Sequence, residues 1–156
     1  MVIQLQPDMN KNLTHLLRTG VGIESIAHLY DIQSSRRKMH GMPEAFLTTR
    51  YTPKRANDLL NGGSVYWIIN RQICARQLVT DIQTLQDDSG KSFCMISLNP
   101  EIIMTSPIAH RHIQGWRYLS PEKAPQDLRS YDPRASEDLD NIDPQMEKEL
   151  REIGLL

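Results

Sequence analysis

The side chains that could do chemistry gather in two stretches. Tyr66, Trp67, Arg71, Arg76 and Gln77 form the first; His110, Arg111, His112, Gln114, Trp116, Arg117 and Tyr118 form the second. Arginine meets a phosphate or a base edge with two parallel N–H donors, and an aromatic ring beside it can stack a base. A ligand- or RNA-binding set of Arg50, Tyr66, Arg76, Gln77, Arg111, Gln114, Trp116 and Arg117 is therefore expected. The plainer alternative makes Arg76 an outward residue paired with a carboxylate and Trp116 part of the core. Arg36-Arg37-Lys38 is the densest basic run and would add attraction for a polyanion.

A His-X-His step on a strand puts both imidazoles on one face, a spacing used by some metal sites. His110 and His112 would still need further ligands, with His28, His40 or Glu101 as candidates. No nucleophile elbow, P-loop or complete dinucleotide glycine motif is present; Gly20-Val21-Gly22 lacks the third glycine. The expected function is a non-catalytic module that binds RNA or a nucleotide-like ligand and carries no cofactor. Two alternatives stand beside it. One is a small metal-dependent or phosphate-handling hydrolase using His110 and His112. The other is an interaction protein that recruits a partner through the stripe Met146, Leu150 and Ile153.

The elements that must position these residues are built around positions 61–81. Asn61-Gly62-Gly63 supplies a helix stop. Residues 64–69 follow as a strand, Asn70-Arg71 as a two-residue turn, and residues 72–86 as a long strand. Val65, Trp67 and Ile69 make an inward row, leaving Tyr66 beside Ile68 on the other face. Ile73, Ala75 and Val79 share a parity that Ile82 breaks, which predicts a bulge near residues 78–81. A turn at 87–90 returns the chain through 91–98. Facing residue numbers then sum to about 177, by ladder geometry, so Cys94 faces position 83, Cys74 faces position 103, and the two do not form a disulfide.

Elsewhere, residues 13–18 read as a strand or the start of a helix, 23–32 as a helix and 34–41 as a basic loop. A strand at 46–51 precedes a helix capped by Thr52-Pro53 and running to Leu60. Residues 101–105 form an apolar segment ending before Pro107, and 113–119 a last strand. A single helical turn starts at Ser120, an acidic linker covers 130–142, and a helix capped by Asp143-Pro144 runs to Ile153. Successive hairpins with few helices predict an α+β fold with a curled antiparallel sheet. The expected division is one domain over 1–129, with linker and C-terminal helix over 130–156.

A chain of 156 residues suits one such core. The longest apolar run is five residues and the N-terminus lacks a signal-peptide pattern, so a cytoplasmic protein without a membrane contact is expected. Residues 34–117 carry eleven basic and six acidic side chains, a net of +5; residues 118–156 carry five basic and ten acidic, a net of −5. A basic body with an acidic tail can present an anion-binding face on a chain near neutrality, although the two parts could also simply neutralise each other.

Thr49-Arg50, Pro53 with Arg55, Ala56 and Leu59-Leu60, Gly62-Gly63-Ser64, Tyr66-Trp67, Arg76-Gln77 and residues 114–119 together resemble one family, covering residues 13–128. It is a family of small alphaproteobacterial proteins known only as a domain of unknown function. Asn70-Arg71 departs from the Lys-Gly expected there. The order of helix stop, strand, tight turn and long returning strand is also similar to PUA-like barrels such as ASCH and EVE domains. That likeness implies a small β-barrel with flanking helices and RNA or modified bases as ligands.

Overall fold

In a computed structural model, the strand Ser64–Ile69 (β3) is buried at all six positions, so both of its faces are core. The structure describes residues 12–135 and 144–154. Val65, Trp67 and Ile69 join the main core, as expected. Tyr66 and Ile68 point the other way, but into a second, smaller apolar cluster with Leu17, Ile73, Ile113 and Leu119. The face expected to be polar and exposed is thus largely covered, because residues 110–115 fold across it and bring Ile113 down onto the sheet.

Asn70 and Arg71 adopt φ of 53° and 62°, the left-handed pair that a tight hairpin needs. They lead into the long strand Gln72–Gln86 (β4), whose bounds match the expectation. Its register shifts between Val79 and Asp81, at the expected bulge, and the partner strand shifts between Trp67 and Ile68. The strand Ser92–Leu98 (β5) returns along Val79–Gln86. Thr84 faces Cys94, one position from the residue expected. Cys74 lies outside this ladder, whereas Arg76 faces Ile103. Both cysteines are buried, and neither forms a disulfide.

After β5 the chain continues along the remainder of β4 as Ile103–Ala109 (β6). This strand passes through Pro107 rather than ending before it. The proline falls in a register irregularity opposite Ile73–Ala75, where no regular ladder donor is required. Asp127–Ser130 (β8) pairs with β6, a strand not expected from the sequence, and only its last residue falls in the expected linker. His15–Thr19 (β1) lies parallel to β3 and antiparallel to Trp116–Leu119 (β7). Ala45–Thr49 (β2) pairs with β5 alone.

The result is an α+β fold with an open eight-stranded sheet in the order β2-β5-β4-β3-β1-β7, with β6 paired to β4 and β8 paired to β6 off this path. No strand pairing joins β2 to β7, so the expected closed barrel is not formed. Side chains span the opening instead. Arg18 on β1 donates to the Thr48 carbonyl at 3.3 Å, and the Arg55 backbone N–H donates to the Tyr118 hydroxyl at 3.0 Å.

Three α-helices lie among the described residues. The first, Ile26–His40 (α1), absorbs the basic run that was expected to be a loop. Ser25 caps it by accepting from the His28 N–H at 3.0 Å, and Gly41 closes it at φ 62°. Arg37, Lys38 and His40 sit in the last turn, where cations favour the helix dipole. Ile26, Leu29 and Gln33 face inward. The second helix is only Ala56–Leu59 (α2). Thr52 does not cap it: the Thr52 hydroxyl hydrogen-bonds with that of Thr84 instead. The third, Pro144–Glu152 (α3), packs on β6. The expected linker over 130–142 is described only to residue 135; Tyr131 packs against the main core and contacts Tyr30. No described helix is long and apolar enough to cross a membrane.

Candidate functional site

Four strands place Arg76, Tyr66, Leu17 and Arg117 in one lateral row on the face of the smaller cluster. Neighbouring strands are about 4.8 Å apart, so the two arginines are separated by roughly 14 Å of sheet. Along the strands from this row come Ser64 on β3 and His15 on β1. The rings of His15 and Tyr66 meet edge-on at 5.0 Å.

Arg76 is held firmly. Its Nε and Nη2 donate to the two carboxylate oxygens of Asp127 at 2.8 Å each, and its Nη1 donates to the Ser64 hydroxyl at 2.9 Å. This bidentate pair ties β8 to β4 and holds the Asp127 carboxyl below its ordinary pKa. The guanidinium expected to meet phosphate therefore already has an anion on its fork. His15 accepts from the Ser64 backbone N–H through Nδ1 at 3.0 Å. Burial lowers its pKa and the nearby Arg76 lowers it further, against an opposing pull from Asp127. Burial pushes the Tyr66 hydroxyl up, so it stays protonated and can act as a donor. His15 and Asp127 are not singled out by the sequence, and Ser64 enters only through the Gly62-Gly63-Ser64 motif of the family resemblance. Their signal was available only as parity: residues 15 and 17, and 64 and 66, share a face once β1 and β3 are paired.

The remaining expected residues scatter. Gln77 is fully buried: its Oε1 accepts from the Trp67 indole at 2.9 Å and from Gln33 at 2.8 Å, and its Nε2 donates back to Gln33 and to the Asn99 carbonyl. Trp116 packs against the main core beside Arg18 and faces away from Arg117, as alternation along β7 requires. Arg50 stacks on Tyr51 beyond the end of β2 and near the Asp87 turn. It follows β2, outside the row that holds Arg76 and Arg117.

Arg111 and Gln114 are exposed in the stretch 110–115, which leaves the β3–β4 turn and crosses to β7. It is pinned at both ends: the His110 N–H donates to the Arg71 carbonyl at 2.9 Å, and the Ile113 N–H donates to the Thr19 hydroxyl at 3.0 Å. Arg71, Arg111 and Arg117 are exposed, and none makes an ion pair among the described residues. His110 Nδ1 hydrogen-bonds with the Arg111 carbonyl. Among the described residues no group of three or more His, Cys, Asp or Glu side chains could hold a metal, so His110 and His112 do not find the further ligands they would need.

Met146 on α3 and Ile153 just after it are exposed, and the Leu150 side chain of the expected stripe lies outside the described residues. The helix docks instead through Glu147, which accepts from Arg129 at 3.1 Å and from Arg151 at 2.8 Å.

Residues 16–156 match a family model described as a protein of unknown function, DUF1489, so the match runs through the acidic segment and α3. No curated protein and no solved structure matches the chain.

Proposed function

This chain belongs to the DUF1489 family, whose function is unknown, and from that premise we propose that it is a non-catalytic module that binds single-stranded RNA. One observation carries the reading. Arg71 and Arg111 sit on the turn and the stretch joined by the His110 N–H, Arg117 follows six residues later, and all three guanidiniums are exposed without a carboxylate partner among the described residues. Cations left free in this way are available to phosphates, whereas Arg76 is held by Asp127. Gln114, exposed in the same stretch, can donate and accept at a base edge. Gln77 serves the core, Trp116 faces the other way, and Arg50 lies against Tyr51. The likeness to PUA-like barrels rests on the order of elements alone, and the open sheet does not extend it.

Binding of a labelled single-stranded RNA, followed by anisotropy across a salt series, tests this. Three phosphate contacts give a slope of log K against log salt of about −2, at about 0.7 per contact on a single strand. Arg111→Ala and Arg117→Ala each remove about one third of that slope. An RNA affinity that is absent, or that does not respond to salt, removes the proposal.

A further inference from the structure

The sheet opening holds a second candidate site on the opposite face. A cavity of about 300 Å³ lies between α1, the end of β1 and the free edge of β2. Its lining includes two arginines, Arg18 and Arg36, and no acidic residue. Arg18 is half-buried, and among the described residues its side chain donates to the Thr48 carbonyl at 3.3 Å. Its pKa is lowered by burial, the sign of a cation moved out of water without a compensating anion. Arg36 is exposed along the same groove and makes no ion pair among the described residues. The contrast with Arg76 is direct: among the described residues one guanidinium has its carboxylate and the other does not.

The rest of the cavity suits a flat apolar body. Trp67, Phe46, Leu29 and Leu47 contribute to the lining. Trp67 and Gln33 are fixed from behind by Gln77, through reciprocal amide bonds of 2.7 and 2.8 Å and the indole bond of 2.9 Å. A wall held this way is preformed, so little ordering is required when a ligand enters. The volume lies at the small end of the range that takes one compact ligand.

We propose that the groove between α1, β1 and β2 binds a small anion carried on a flat ring, of the size of a nucleoside monophosphate. Arg18 and Arg36 would hold the anionic group, and the ring would lie against Trp67 and Phe46. This site does not depend on the RNA reading, which uses Arg71, Arg111 and Arg117 on the other side of the sheet end.

Calorimetric titration of the full chain with adenosine and uridine monophosphates tests the proposal, with inorganic phosphate and the uncharged nucleosides as separate arms. Saturable binding of at least one monophosphate is expected, with phosphate and nucleosides each at least tenfold weaker. Arg36→Gln, at an exposed position that leaves the core untouched, should weaken that monophosphate about tenfold, and Arg18→Gln by at least as much. Arg111→Ala should leave it unchanged. Absence of monophosphate binding, equal binding of inorganic phosphate, an unaltered Arg36→Gln variant, or loss of binding in Arg111→Ala would each overturn it. Failure of RNA binding with monophosphate binding intact would sink the RNA reading alone.

Discussion

At pH 7 the His15 ring is neutral, since burial and the nearby Arg76 both oppose a second proton. The folded pKa lies below the ordinary 6.5, so the unfolded chain takes up a proton first as pH falls. Stability from this residue is complete above pH 6.5 and declines as pH drops through the folded value. Asp127, also lowered, acts with the same sign only below its ordinary 3.8. His15→Asn keeps an acceptor near the Ser64 N–H but cannot titrate. Urea unfolding between pH 7 and 5 should therefore show a falling stability for the native chain and a flatter one for the variant. One group can supply at most about 1.4 kcal/mol per pH unit. Equal slopes would show that His15 does not titrate in this window. A larger effect is expected at Gln77, which satisfies Trp67, Gln33 and the Asn99 carbonyl at once. Gln77→Leu leaves these groups buried and unmatched, and should cost about 3 kcal/mol in the same assay.

Among the elements, the hairpin of β3 and β4 was legible because its signals are local: a glycine pair, an apolar run, an Asn-led turn and a parity break at the bulge. Gly63 shows how strict one of these is. A Cβ there would lie 2.3 Å from the Thr14 carbonyl and 2.6 Å from that of Leu59, both backbone atoms that cannot swing aside. Gly63→Ala should therefore abolish folding, or cost more than about 3 kcal/mol, as read by circular dichroism and thermal melting. Arg71, at φ 62°, gives the opposite case. Arg71→Gly relieves a left-handed arginine and should stabilise the hairpin by up to about 1 kcal/mol. The same variant should lower RNA affinity, so a gain in melting temperature with unchanged RNA binding would take Arg71 out of the proposed site. What the sequence could not show was pairing between distant strands. That Trp116 and Arg117 point apart follows from alternation alone. That Arg117 shares a row with Arg76, and Trp116 a row with Arg18 and Trp67, follows only from β1 lying between β3 and β7. Asp127 likewise gains its meaning only when β8 joins β6.

Over the whole molecule, the acidic C-terminal part is partly folded back onto the body. Glu147 is 6% exposed and lies between Arg129, just before Ser130 at the end of β8, and Arg151 on its own helix. The contact of α3 with the sheet is thus electrostatic at its centre, while Met146 and Ile153 remain at the surface at 54% and 68% exposure. A helix of nine residues is too short to persist alone in water, so its order depends on this docking. Glu147→Ala removes the carboxylate that Arg129 and Arg151 share. Amide exchange over residues 145–152 should then approach that of an unstructured segment, whereas protection in β3 and β4 should stay as it was. Global stability should fall by no more than about 2 kcal/mol, because both arginine partners are partly solvated. If α3 keeps its protection in the variant, its apolar side chains and the Gln72–Gln145 hydrogen bond hold it, and the ion pairs are incidental. Raising salt should act in the same direction as the substitution, only more weakly, since a nearly buried carboxylate is poorly screened.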